Sequence, residues 1–342
     1  MNRSFDHERH QLLQLFDSIQ RGNHQIIDEY IILLFRFQYK YNKIYQEFCN
    51  NLGVKDKSID RKEKIPFLPI SAFKMHEVKT GNFNAEIIFS SSGTTGSQKS
   101  NHQIRDINHY LLTTKIIWSK YFRSVNNYQI LALLPGYLER EGSSLIKMVD
   151  YFVQLSDYKT SGFYLRDHDK LAEMLMQCKK EQIPTVLFGV TYALLDFIVQ
   201  YKIIFPELVI IETGGMKGNR EEMTKVAVHE LLKDAFHVEG VYSEYGMTEL
   251  LSQAYTKGGT NFLPNDQLHI FTHQINDPLT REKVGKPGII SIIDLANIDS
   301  CAFIQTEDLG VLYEDDSFEI LGRLDYADVR GCNLLVQESG FG

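Results

Sequence analysis

The chain has 342 residues, 43% of them hydrophobic and 23% charged, with a formal net charge of −8 at pH 7. That length suits two domains or one large α/β domain with attachments, and the composition is that of an ordinary globular protein. The acidic balance argues against a nucleic-acid binder, no apolar run reaches the ~18 residues of a membrane span, and four scattered cysteines (Cys49, Cys178, Cys301, Cys332) argue against a disulfide framework.

Residues Met1 to His10 carry Arg3, Asp6, His7, Glu8 and Arg9 without an apolar core, so no signal peptide is expected and the chain reads as cytoplasmic. From Gln25 to Asn50, Ile27, Ile31, Leu34, Tyr41, Tyr45 and Phe48 recur at helical steps, and Asn50-Asn51-Leu52-Gly53 supplies stop signals. One amphipathic helix is expected there. A charged connector, Lys55 to Lys64, leads to Ile65-Pro66-Phe67-Leu68-Pro69-Ile70-Ser71-Ala72-Phe73-Lys74, where two prolines stiffen the backbone.

Ile87-Ile88-Phe89 reads as a buried strand, and Ser90-Ser91-Ser92-Gly93-Thr94-Thr95-Gly96-Ser97-Gln98-Lys99-Ser100 follows it. Such a loop suits phosphate: glycines let the backbone approach an anion, successive N–H groups can form a nest, and the hydroxyls donate hydrogen bonds. A Walker A loop is excluded, because Ser97 and Gln98 separate Gly96 from Lys99. Beyond it, Asn108 to Phe122 reads as helix, Gln129 to Leu134 as strand, Asp169 to Glu181 as helix, Thr185 to Phe188 as strand and Ala193 to Tyr201 as helix. Ser143 or Ser144 is placed to cap a further helix.

Glu207 to Ile211 reads as another buried strand, ending in Glu212-Thr213-Gly214-Gly215-Met216-Lys217-Gly218, where a glycine pair can admit a flat ring against the main chain. Tyr242-Ser243-Glu244-Tyr245-Gly246-Met247-Thr248-Glu249 follows, offering an aromatic ring, a turn glycine, a hydroxyl and a hard carboxylate oxygen. Gly288 to Leu295 and Cys301 to Gln305 read as strands of a smaller β-rich portion. Thr306-Glu307-Asp308-Leu309-Gly310, Gly322-Arg323-Leu324-Asp325 and Asp328-Val329-Arg330-Gly331-Cys332 complete the chain's motifs.

Ser91 to Lys99 resembles the phosphate-binding signature of the acyl-adenylate-forming superfamily, and Tyr245 to Glu249 resembles its aromatic-Gly-x-Thr-Glu signature. The phrase Pro66 to Lys74 with Glu77-Val78, together with Cys332 near the end, narrows the resemblance to the LuxE-type acyl-protein synthetases. This resemblance implies an α/β fold of the adenylate-forming N-terminal-domain type. Mostly parallel sheets wrapped by helices and a smaller β-rich portion are expected, without the usual C-terminal lid domain. The division expected is a helical extension over residues 1–64, an adenylate-forming domain over 65–321 and a short tail over 322–342.

The resemblance further implies ATP and Mg2+ as cofactors and a fatty or related carboxylic acid as substrate. Ser91, Ser92, Gly93, Thr94, Thr95 and Gly96 would hold phosphate; Gly214, Gly215, Met216 and Tyr245 the adenine, with Gly246 permitting the turn; Asp308 the ribose hydroxyls; and Arg323 the ribose or phosphate. Thr248 and Glu249 would act on the α-phosphate and magnesium, with Lys99 or Lys217 neutralising phosphate charge. Cys332 would accept the acyl group as a thioester, its thiolate favoured by Arg330, and pass it to an acyl-reductase or acyl-carrier partner. Direct transfer to coenzyme A or a carrier protein, or a non-catalytic nucleotide-binding subunit, stay open as alternatives. His102 and His109 are read as structural.

Overall fold

The computed structural model describes residues 3–91, 98–136, 142–214 and 223–324. Phe5, Leu12, Phe16 and Ile19 line the buried face of helix α1 (Arg3–Gln20), which the charged first ten residues conceal from the sequence reading. The single helix expected over 25–50 is two, α2 (Ile27–Tyr41) and α3 (Lys43–Asn51). The break falls at Asn42, whose backbone is extended and whose side chain accepts from Tyr45 N at 3.1 Å and donates to the Ser300 carbonyl at 3.1 Å. A short amide that can bond local backbone competes with helix continuation and makes a good N-cap.

A short strand β1 (Leu68–Pro69) and one helical turn α4 (Ala72–Met75) precede the hairpin of β2 (Ile87–Ser90) and β3 (Asn101–Ile104), which pair antiparallel. The phosphate-loop residues therefore join two hairpin strands. The strand is not buried as expected: Phe89 is inside, Ile87 is half-buried and Ile88 is exposed, because only one face of a two-stranded ribbon meets the core.

Next come α5 (Ile107–Tyr121), β4 (Gln129–Leu133), α6 (Ser144–Leu155), β5 (Gly162–Phe163), α7 (His168–Glu181), β6 (Thr185–Val190), α8 (Thr191–Gln200), β7 (Val209–Thr213), α9 (Lys225–Phe236), β8 (Tyr242–Tyr245) and β9 (Ala254–Tyr255). Their strands form one sheet in the order β5-β4-β6-β7-β8-β9, parallel except for β9. Every residue of β4 and β6 is buried, which is why both read as unbroken, largely apolar runs.

A second sheet contains β10 (Leu268–His273), β11 (Pro287–Asp294), β12 (Phe303–Leu312) and β13 (Phe318–Arg323), paired antiparallel in that order, with β1 joining β12 in parallel. Between β11 and β12 the register jumps: Ile289 pairs with Leu309, but Ser291 pairs with Gln305. Residues 306–308 there lie opposite Ile290 alone, a bulge with two residues in surplus, and such a device re-aims side chains.

The first three helices pack on the β11–β12 connection, residues 295–302. Tyr30 donates to Leu295 O at 2.8 Å, and buried Gln38 donates to Asn297 O at 2.7 Å and Ile298 O at 3.1 Å while accepting from Ala302 N at 2.9 Å. Arg9 meets Asp299 with two bonds of 2.6 Å, and Tyr45 stacks on Phe303 at 5.6 Å. These helices share one continuous apolar core with both sheets.

Candidate functional site

The ends of β7 and β8 carry the glycine-rich motif and the Tyr-Gly-Met-Thr-Glu motif, at the carboxyl edge where parallel sheets bind ligands. Gly214 follows β7 with φ +78°, a left-handed turn that favours glycine, and its carbonyl accepts from the Thr191 hydroxyl at 3.1 Å. A Cβ on Gly246 would lie 2.5 Å from Glu244 Oε1, so the chain leaving β8 has room for no side chain there.

The ends of the serine- and glycine-rich segment are clamped at Ser91 and Ser100. Ser91 N donates to Ser100 O at 3.1 Å, and Ser100 N donates back to Ser91 Oγ at 3.0 Å. Lys99 is exposed beside this clamp. Buried Ser100 acts on the Glu249 carboxyl, and His102 two residues on contacts Thr248 O at 2.9 Å, so the hairpin and the Tyr-Gly-Met-Thr-Glu motif lie together. Burial pushes the Glu249 carboxyl up; Ser100, its own backbone N–H, and the charges of Arg323 and Lys74 pull it back.

Three side chains hold the backbone of that motif. His102 bonds Thr248 O through Nδ1 at 2.9 Å; a carbonyl only accepts, so Nδ1 carries the proton. Burial pulls His102 down to about 4, partly opposed by bonds to Thr248 and Asn297, so it stays neutral and acts as a brace. Asn297 donates to Glu249 O at 2.9 Å, and Asp294 accepts from Leu251 N at 2.7 Å, Ser252 N at 3.1 Å and the Ser252 hydroxyl at 2.6 Å.

Tyr245, Asp308 and Arg323 also meet. The Tyr245 hydroxyl donates to Asp308 Oδ2 at 2.9 Å, Arg323 Nε donates to Asp308 Oδ1 at 3.3 Å, and Asp308 pairs with Arg323 across β12 and β13. The Tyr245 ring is buried and packs tilted on Phe262 and edge-on to Phe318. Each Asp308 oxygen has one protein donor here and a further lone pair for a ligand hydroxyl.

Beneath both glycine turns lies a buried network that motif reading passes over. Glu212 accepts from the Thr191 hydroxyl at 2.7 Å and the Ser243 hydroxyl at 2.5 Å, with Lys225 Nζ at 3.4 Å and His229 Nε2 at 3.6 Å. Burial pushes Glu212 up, but His229, Lys225 and the two hydroxyls outweigh it and hold the carboxyl down to about 2. Its neighbour Glu244, held at 2.5 Å by the Thr213 hydroxyl, goes the other way: burial and the charge of Glu212 push it up to about 7. The clue in the sequence was a lone acid closing each otherwise uncharged strand.

Of the residues predicted from sequence, Ser91, Lys99, Gly214, Tyr245, Gly246, Thr248, Glu249, Asp308 and Arg323 are described above. Ser92, Gly93, Thr94, Thr95, Gly96, Gly215, Met216, Lys217 and Cys332 lie outside the described residues. A cavity of about 360 Å³ lies between α2 and residues 60–63, but none of the site residues lines it. Its Lys62 pairs with Asp28 at 2.8 Å. Among the described residues no helix is long and apolar enough to cross a membrane.

Comparison with known proteins bears on the family and the fold. The family described as acyl-protein synthetase, LuxE, matches residues 15–340. The chain is 25% identical to the long-chain-fatty-acid–luciferin-component ligase of Aliivibrio fischeri, over 91% of this chain and 87% of that protein. It is 24% identical to the Vibrio harveyi protein of the same name, over 89% and 85%. Among solved structures, an open conformation of 2-hydroxyisobutyryl-CoA ligase in complex with 2-HIB-AMP and CoA matches with a TM-score of 0.67 at 12% identity, covering 87% of this chain and 70% of that one. ATP-bound MatB from Rhodopseudomonas palustris matches with a TM-score of 0.53 at 17% identity, covering 71% and 49%. The fold is that of the acyl-adenylate-forming ligases, and the chain belongs to the acyl-protein synthetase (LuxE) family.

Proposed function

We propose that this protein activates a fatty or related carboxylic acid with MgATP as acyl-AMP, then takes the acyl group onto its own Cys332 as a thioester for a partner reductase or acyl carrier. The observation that carries the first step is the convergence of the clamped Ser91–Ser100 stem with Glu249, beside the Tyr245–Asp308–Arg323 group. In that step a carboxylate oxygen attacks the α-phosphorus, the bond to the bridging oxygen breaks, and pyrophosphate leaves with the electron pair. Hydroxyls and backbone N–H groups of residues 91–96 and the Thr248 hydroxyl would stabilise the charge gathering on the phosphate oxygens.

Glu249 suits a magnesium ion. Its carboxylate is a hard oxygen ligand, and no group of three or more metal-ligating side chains lies together among the described residues. A magnesium ion held by one carboxylate and substrate phosphates needs no more from the protein. Bound there, it would neutralise phosphate charge. The second step gives the Cys332 thiolate to the acyl carbonyl and releases AMP; its support is the family membership and the sequence around Arg330 and Cys332.

The test is intact-protein mass spectrometry of wild type and Cys332→Ser after incubation with MgATP and a panel of carboxylic acids, with and without neutral hydroxylamine. An ATP-dependent, hydroxylamine-labile acyl adduct on wild type alone is expected. Active pyrophosphate exchange without an adduct would remove Cys332 as acceptor and favour direct transfer to coenzyme A or a carrier.

A further inference from the structure

Adenylation brings together a carboxylate and a polyphosphate, and the residues converging on the site include three acids, Glu249, Glu307 and Asp308. A cation must meet that charge. Arg323 is engaged with Asp308 at 3.3 Å. Among the described residues a second cation stands on α4, a turn between β12 and the β2–β3 hairpin. Just before it, β1 pairs with β12 (Leu68 with Ile304, Pro69 with Gln305), and Ile70 N donates to Gln305 O at 2.8 Å. Phe73, fully buried, sets its ring edge-on to His102 at 5.7 Å.

These contacts fix Lys74. Its Nζ lies 3.6 Å from Glu307 Oε1, on the surplus residues of the β12 bulge, with Asp308 next along the chain. That separation is an ion pair beyond good hydrogen-bond length, and the side chain is 38% exposed, so its three N–H donors remain available to a ligand. The charge of Lys74 also acts on the Glu249 carboxyl, which places the ammonium within electrostatic reach of the motif at the α-phosphate. By contrast Lys99 is exposed on the hairpin stem, and Lys225 is engaged with Glu212.

We propose that Lys74 is a catalytic residue of adenylation, its ammonium leaving Glu307 to contact the incoming carboxylate and the α-phosphate oxygens as they meet. The ammonium keeps its proton throughout; one P–O bond forms, one breaks, and pyrophosphate carries the electron pair away. The charge at the reacting centre is offset by a preorganised cation worth more in a partly desolvated site than in water. Glu307 is its counter-ion at rest. The proposal rests on the adenylation reading above.

Carboxylate-dependent ATP–pyrophosphate exchange and thermal melting are measured for wild type, Lys74→Gln and Lys74→Arg. Lys74→Gln is expected to melt with wild type, to lose about 10²-fold in kcat and to keep its KM for ATP within about threefold, with Lys74→Arg recovering part of the loss. The proposal is overturned if Lys74→Gln exchanges like wild type, or if its loss comes with a matching fall in melting temperature and no rescue by Lys74→Arg, which would make Lys74 a structural partner only. Lys74→Met, which keeps the apolar stem, serves the same comparison if the glutamine variant does not fold. Wild type exchanging no pyrophosphate with any acid would instead defeat the adenylation reading, and Lys74's role with it.

Discussion

Asn297 donates its side-chain amide to the backbone carbonyl of Glu249 at 2.9 Å, across 48 residues of chain. The same asparagine's backbone carbonyl accepts from Gln38 of α2 at 2.7 Å. A helix near the start of the chain thus bears on the candidate magnesium residue through one intermediary. Asn297→Ala is predicted to lower kcat of pyrophosphate exchange about tenfold or more, because small displacements of a reacting group are costly. Steady-state exchange kinetics check this, and an unchanged kcat would show that the Glu249 carbonyl needs no anchor.

Gln38→Leu is predicted to destabilise the fold by about 3 kcal/mol or more. Leucine fills the space but leaves Asn297 O, Ile298 O and Ala302 N without their buried partner, at roughly 1–3 kcal/mol for each group left unsatisfied. Urea denaturation followed by circular dichroism measures it; a loss below about 1 kcal/mol would mean that the connection finds other partners.

Tyr245→Phe keeps the packing on Phe262 and Phe318 and removes only the bond to Asp308. A hydrogen bond to a charged group is worth about 1.5–3 kcal/mol, so the variant is predicted to lose up to that much stability and, with Asp308 no longer held, to show a KM for ATP raised several-fold. An unaltered KM would detach Asp308 from nucleotide binding.

The pH dependence of stability carries a signature of Glu244. Its folded value, near 7, stands above the ordinary 4.5, so the folded state keeps a proton that the unfolded state gives up. Stability from this group is full below about 4.5 and is lost as pH rises to about 7. Glu244→Gln removes that penalty and is predicted to flatten the decline between pH 5 and 7, gaining on the order of 1–3 kcal/mol at pH 8. Glu212 has the opposite sign, its contribution present above 4.5 and lost as pH falls toward 2. Denaturation midpoints of wild type and variant from pH 5 to 8 decide it; parallel curves would show Glu244 ionised throughout.

Much of the candidate site was legible in the sequence because its motifs are local: Tyr245 to Glu249 is one strand end and the residues just after it, and Ser91 and Ser100 flank the segment between the paired strands β2 and β3. The alternation of apolar strands and helices likewise gave the parallel sheet, since strands buried on both faces cannot hide in a polar background. What escaped was tertiary. Nothing near Lys74 in the sequence says that β1 will lay α4 against the β12 bulge. Asn42 sat within an uninterrupted helical stripe, and only the Ser300 carbonyl across the core explains why the helix stops there. The hydrophobicity of Ile87-Ile88-Phe89 overstated burial, because composition does not reveal that the strand pairs only with β3.

The grip of Gln38 on residues 297–302 has a consequence for how the protein is made. Its partner Asn297 lies 259 positions downstream, a separation that takes roughly 10–50 s to translate at bacterial and eukaryotic rates. During that interval α1 to α3 leave the ribosome with an apolar face and a buried amide awaiting acceptors not yet synthesised. Folding of the first helices therefore waits on the last third of the chain, and a message truncated before residue 295 would yield a product that exposes this face to chaperones and proteases.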